Sequence, residues 1–385
     1  MAKILIKNAL LDGSIVDISI NNNLIEEIGK NLSIEATKII DAEGNLVIPG
    51  FVDAHSHLDK CLLNPRVAYI DGTGPEKGKL TREQKALFTF DDIYERAHSM
   101  IKRAIASGTL VLRTNADVDA SVGLKGVEAL LKLKEEYKDI IHIQVAALAQ
   151  EGIYFDDQTQ NLLEEAIKLG VDAIGGHTII NNEGKPHVDF ILNLAKKYNI
   201  IAEFHLDESG QRQHYLLPYV SDKIVELGLQ GKVNGIHLCT MSALNEDELK
   251  EALDYVKQSG MTVTIAPTAI STRQLAPVKA LLNIGTLCAI GSDNARDFFN
   301  PLGSLDVRHP ALVLSYVHRF FTKEENEAIL SMITDQGAKV LGYEAYGIKV
   351  GNRADLTILP AKNAAEVLSY IDKPLSIIRN GNVIN

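Results

Sequence analysis

Polar and apolar positions change rhythm twice along this 385-residue chain. Within residues 1–50, short alternating runs at 3–7, 15–20, 24–28 and 38–41 are separated by Asp12-Gly13 and Glu43-Gly44. Period-two alternation between turn residues predicts short β-strands. The C-terminal stretch returns to that texture, with strands predicted over 354–359 and 375–379 and a hairpin turn at Arg379-Asn380-Gly381-Asn382. Neither end is long enough to bury both faces of a sheet. The two are therefore expected to meet in one small β-sandwich built from 1–50 plus 345–385.

Between the ends the order becomes strand, loop, helix. Apolar or β-branched runs at 46–52, 111–114, 142–147, 173–176, 200–205, 233–237, 262–266 and 288–291 predict eight strands. Segments with a 3.6-residue period, such as 160–169, 187–198, 244–259 and 323–332, predict the helices that follow them. This alternation, at this length, predicts an α/β fold, a (β/α)8 TIM-like barrel over 51–344. Segment 63–90, rich in Gly, Pro and charge, is expected to be a long loop lying over the mouth as a lid. No solenoid repeat or low-complexity tract interrupts the pattern.

Composition narrows the function. A net charge of −11 argues against nucleic-acid or anionic-membrane partners, which require a basic face. The expected partner is a small molecule. Cys61, Cys239 and Cys288 are odd in number and lack CxxC spacing, which suits unpaired thiols in a reducing compartment. The first residues do not read as a signal peptide, and no apolar run approaches the roughly 18 residues that span a bilayer. A cytoplasmic protein is expected.

Candidate chemistry starts at Pro49-Gly50-Phe51-Val52-Asp53-Ala54-His55-Ser56-His57-Leu58-Asp59. Alternate residues of a strand point the same way, so His55 and His57 project together as a pair of imidazole donors for a divalent metal. Among 11 histidines an HxH pair alone says little, but this one ends the first barrel strand. Barrel sites are assembled at the C-terminal ends of strands. Three further candidates stand there: His205 after the fifth strand, His237 after the sixth and Asp293 after the eighth.

The order HxH, His, His, Asp on strands one, five, six and eight resembles the metal-dependent amidohydrolase superfamily over the whole chain. Arg113-Thr114, Ala149-Gln150-Glu151-Gly152-Ile153, His205-Leu206-Asp207-Glu208, Gly291-Ser292-Asp293-Asn294, Asp297 and Pro301-Leu302-Gly303 are similar to its cytosine deaminase branch. The resemblance implies one divalent ion, Zn2+ or Fe2+, held by His55, His57, His205 and Asp293, with a metal-activated water as nucleophile. The fourth strand ends Ala173-Ile174-Gly175-Gly176-His177, without the lysine that binuclear relatives carry, in keeping with one ion. By the same resemblance Glu208 is the proton shuttle, His237 and Asp293 orient the water and take its proton, and Gln150 orients the ring.

Four departures bear on the substrate. Lys60 stands where cytosine deaminases generally lack a lysine, and either neutralises an anionic substrate group or pairs with a nearby acid. Asn115 and Asn294 replace a histidine and an aspartate, and Phe299 replaces a tryptophan that packs on the ring. His177 lies near a substrate-region histidine of relatives. The expected function is metal-dependent deamination of a small nitrogen heterocycle such as cytosine, an aminopyrimidine or a pterin. An s-triazine N-alkyl amidohydrolase releasing an alkylamine is the alternative. A non-catalytic scaffold is a third, disfavoured by the presence of every expected ligand. The resemblance also leaves a homo-oligomer open.

Overall fold

Strands buried on both faces read as unbroken apolar runs, and eight such strands form the centre of this chain. The computed structural model describes residues 3–66, 74–154, 156–178, 184–268 and 273–384. The eight strands are Phe51–Ser56, Thr109–Asp117, His142–Ala149, Ala173–His177, Ile201–Leu206, Val233–His237, Thr262–Ile265 and Cys288–Ile290. They pair in chain order, each parallel to its neighbour, and are called first to eighth below. At least one helix follows each strand. Leu112, Val145, Ile174, Phe204 and Val263 belong to the apolar layer between strands and helices. The opposite faces carry polar groups inside the ring: Arg113 donates to Gln144 Oε1 at 2.6 Å and to Glu203 Oε2 at 3.2 Å.

The ring closes between the eighth and first strands. Asp293 N–H donates to His55 O at 2.8 Å and His57 N–H to Asp293 O at 3.3 Å. Below them the buried Asp53 carboxylate accepts from Ser292 N–H at 2.9 Å and Ser292 Oγ–H at 2.5 Å. Burial raises the Asp53 pKa to about 6, although the Ser292 hydrogen bonds pull against it. Gly291 is required at this seam, because a Cβ there would lie 2.6 Å from His55 Cβ and 2.7 Å from His55 O.

The termini meet in a second sheet, as their alternation predicts. Lys3–Leu11, Ser14–Asn21, Leu24–Gly29, Lys38–Asp41 and Leu46–Pro49 join Leu356–Leu359, Ser376–Arg379 and Asn382–Val383. Leu46–Pro49 runs antiparallel to Leu356–Leu359 and so links the two ends. Ile4, Ile6, Ile18, Val47, Leu356, Ile358 and Ile378 share one apolar cluster.

Two expectations need correction. The run 46–52 is two strands: Leu46–Pro49 belongs to the terminal sheet and Phe51–Ser56 to the barrel. Gly50 lies between them, where a Cβ would meet Leu110 Cδ1 at 2.5 Å. Segment 63–90 is not a plain loop. Its residues 67–73 lie outside the described residues, and Gly74–Lys85 is a helix. Its sequence GPEKGKLTREQK lacks an amphipathic stripe, so periodicity could not reveal it. Among the described residues, no helix is long and apolar enough to cross a membrane.

Gly291→Ala is expected to destabilise the fold by about 1–3 kcal/mol, the cost of forcing volume into a packed contact. Urea unfolding checks this; an unchanged midpoint would mean that the seam can widen without loss.

Candidate metal centre

Parallel register places strand ends level with one another, and it does so here for the histidines. His177 is the register partner of His205, and His237 pairs with Leu206. Ser56 bridges Asp293, which sets the first strand's end beside the eighth's. His55, His57, His205, His237 and Asp293, all buried, therefore converge. His57 Nε2 lies 3.2 Å from Asp293 Oδ1 and 3.4 Å from His205 Nε2. His55 Nε2 is 3.6 Å from the same Oδ1, and His237 Nε2 is 3.8 Å from Asp293 Oδ2. Asp207, His237, Leu238 and Asp293 all have positive φ, at 53°, 80°, 49° and 58°. Left-handed backbone at four non-glycine residues is a cost that functional sites commonly carry.

The donor chemistry fits a divalent cation. Ligands about 2.1 Å from one tetrahedral ion lie roughly 3.4 Å apart, close to the spacings above. Burial, reinforced by Lys60, lowers the His57 pKa to about 4, and burial lowers that of His237 to about 4. Burial with the neighbouring imidazoles takes His205 well below the histidine range. Burial would raise Asp293, but His55 and His57 hold it well below the usual carboxylate range. Burial would lower His55 too, but Asp293, Glu203 and Asp53 raise it above the ordinary value. It is the one imidazole of the set that this carboxylate favours in the protonated form, and a cation beside Asp293 would take the place of that proton. Among the described residues, His55 Nε2 is buried with no hydrogen-bond partner, Asp293 Oδ1 lying 3.6 Å away. On the far side of that ring, Nδ1 lies 3.0 Å from Asn115 Nδ2, so the Asn115 amide holds the ring's orientation.

Glu208 sits beside this cluster. His177 Nε2 donates to its Oε2 at 2.6 Å, and the His177 ring stacks on His205 with centroids 5.4 Å apart. Arg273 Nη1 holds the other oxygen and also donates to Glu208 O at 3.2 Å. Burial would raise the Glu208 pKa, but His177, His237 and Arg273 hold it well below the usual range. The adjacent Asp207 instead accepts from Leu216 N–H at 2.7 Å and Leu217 N–H at 3.2 Å, at the start of helix Leu217–Leu227.

The remaining candidates are placed as follows. Lys60 is buried, with its ammonium on Asp117 and 3.9 Å from Asp59 Oδ2. Gln150 is half-buried just beyond the third strand, and Phe299 is half-buried on the turn after the eighth. The Phe299 N–H is fixed by Asp297 Oδ1 at 2.9 Å. Among the described residues, no hydrogen bond joins either side chain to the histidine–aspartate cluster. Sequence reasoning missed Arg273 and Asn115 as partners. Asn115 lies on the second strand near its end, where the strand-end rule could have found it; Arg273 lies in irregular chain after the seventh, where no spacing marks it.

A bound ion stabilises a native site by about 2.7 kcal/mol at 100 times its Kd. Chelation is thus expected to lower the thermal midpoint, and His205→Ala to remove most of that chelator-sensitive shift. A variant that keeps the full shift would place the ion elsewhere.

The sequence profile of the Amidohydrolase family matches residues 38–378. N-isopropylammelide isopropyl amidohydrolase of Pseudomonas sp. (strain ADP) is 34% identical, the match covering 99% of this chain and 96% of that protein. Pterin deaminase of Rhizobium rhizogenes is 26% identical over 90% of this chain and 82% of its own length. The crystal structure of 5-methylcytosine deaminase from Klebsiella pneumoniae liganded with phosphonocytosine superposes with a TM-score of 0.92 at 27% identity. That superposition covers 100% of this chain and 98% of the other. With the profile extending over most of its length and the fold and strand-end histidines in place, the chain belongs to the amidohydrolase family.

Proposed function

We propose that this protein hydrolyses the bond between a ring carbon of a small nitrogen heterocycle and its exocyclic amine, using one divalent ion per chain. The observation that carries this reading is the convergence of four imidazoles and Asp293 beside a Glu208 carboxylate that His177 holds at 2.6 Å. An ion held by His55, His57, His205 and Asp293, Zn2+ or Fe2+, supplies the charge that makes water nucleophilic near neutral pH.

His237 Nε2 and Asp293 Oδ2 orient the attacking water. Glu208 Oε2 takes one proton of the water and passes it to the ring nitrogen next to the attacked carbon; the second, taken up by Asp293, goes to the amine as its C–N bond breaks and the ring C=O forms. His177 and Arg273 keep Glu208 ionised and ready to accept a proton. The Gln150 amide offers a donor and an acceptor to a lactam or ureide edge, and the Phe299 ring offers an apolar face. Lys60, committed to Asp117, contributes charge behind the site rather than a direct substrate contact.

Ammonia is the leaving group in a deaminase reading, which the likeness to 5-methylcytosine deaminase and pterin deaminase supports. The 34% identity to an isopropyl amidohydrolase favours a second reading, an alkylamine leaving from an s-triazine.

Metal-loaded protein assayed on aminopyrimidines, pterins and N-alkylamino triazines, with ammonia and alkylamine measured separately, decides between them. Glu208→Gln is expected to slow the reaction by roughly 10²–10⁴-fold while ion content stays the same. Bound ion with no amine released from any ring would reject the proposal; no bound ion would favour a non-catalytic scaffold.

A further inference from the structure

A helix without an apolar face stays on a barrel only if something other than hydrophobic burial holds it. Gly74–Lys85 is such a helix, with Leu80 half-buried against the cluster of Leu63, Phe88 and Phe298 as its one leucine. Its last residue, Lys85, is fully buried, and the ammonium meets three carboxylates. Asp119 Oδ2 lies at 2.6 Å, Asp117 Oδ2 at 3.0 Å and Glu151 Oε1 at 3.4 Å. One turn earlier, Arg82 Nη1 donates to Glu151 Oε2 at 3.0 Å.

None of these acids belongs to the helix. Asp117 ends the second strand and also holds Lys60, three residues beyond His57. Asp119 builds the following turn, where its Oδ1 accepts from Ser121 N–H at 2.8 Å and Val122 N–H at 3.2 Å. Glu151 follows Gln150 directly. One ammonium thus ties the helix to the end of the second strand, to the turn that follows it and to the turn after the third strand that carries Gln150. Without the Lys85 charge, Asp117 keeps Lys60, Glu151 keeps Arg82 and Asp119 keeps its turn N–H groups, but the three acids lose the one cation they share and repel one another in a buried setting.

We propose that Lys85 is a positioning residue of the substrate site: it pins the Gly74–Lys85 helix to the chain that follows the second and third strands and, through Glu151, sets the turn that presents Gln150. The pin stands on geometry alone; only the use of Gln150 on substrate rests on the function proposed above. The attachment of helix Gly74–Lys85 is electrostatic and not apolar.

Hydrogen exchange of metal-loaded wild type, Lys85→Met and Lys85→Arg tests the pin without any substrate. In Lys85→Met, amides of 74–85 and of 150–152 are expected to exchange on the order of 10²-fold faster. The third strand and the terminal sheet keep wild-type protection, and Lys85→Arg restores most of the loss. Faster exchange spread evenly over all barrel strands would make Lys85 a general stabiliser and overturn the proposal. Loosening of 74–85 with 150–152 unchanged would overturn it as well, because the turn would then be set by something else. If Lys85→Met does not fold, Lys85→Met combined with Asp119→Asn removes an acid with the cation, leaves Glu151 in place and permits the same comparison. On a ring that releases amine, Lys85→Met is expected to raise KM roughly tenfold or more and change kcat far less, a loss of binding rather than of chemistry. A panel with no turnover counts against the proposed function, while the exchange pattern still decides the pin.

Discussion

The mouth of this barrel depends on the contact between its eighth and first strands. Each backbone there carries groups of the candidate centre, His55 and His57 on one side and Asp293 on the other. Two backbone hydrogen bonds and the Asp53–Ser292 pairing hold them in register. The approach is so close that position 291 must lack a side chain. A closed barrel and a gathered ligand set are therefore one structural event. Strand ends far apart in the chain become neighbours only when the last strand meets the first.

Closure also creates the electrostatic conditions of the site. Taken out of water, His57, His205 and His237 resist protonation, whereas His55 beside Asp293 favours it and Asp293 stays ionised. Elsewhere the interior pairs its charges: Arg113 with Glu203, and Lys60 and Lys85 with Asp117, Asp119 and Glu151. Such pairs add little net stability compared with apolar packing, but they are costly to break and so fix geometry. The candidate centre differs in its donor set, because four imidazoles crowd one carboxylate and no lysine or arginine is paired with Asp293 among the described residues. That contrast is what a cation would resolve.

The same contrast separates the two carboxylates near the centre. Asp293 faces imidazoles and suits a ligand. Glu208 faces His177 and Arg273, both donors, which hold it in a fixed orientation, as the proposed proton transfer requires. Asp207, between Glu208 and the fifth strand, is turned away onto two helix N–H groups. Asp207 and Glu208, adjacent in the chain, thus take separate partners where the strand end turns through left-handed backbone at Asp207.

Much of this arrangement was legible along the chain, and the reasons are local. Half-exposed strands at both termini alternate, and strands covered on both faces run apolar, so the two sheets announced themselves. HxH reads as a pair because every second residue of a strand points the same way, and His205, His237 and Asp293 stood out as polar residues closing apolar runs. Other features followed from tertiary contact alone. The break at Gly50 reflects Leu110 pressing on it, and helix Gly74–Lys85 has no apolar period because a buried ammonium secures it. Arg273 as the partner of Glu208, and Asn115 as the neighbour of His55, depend on which strand ends face each other across the mouth. Local pattern determines which face a residue occupies, but the choice of charge partner belongs to the closed barrel, where burial makes an unpaired charge too costly to keep.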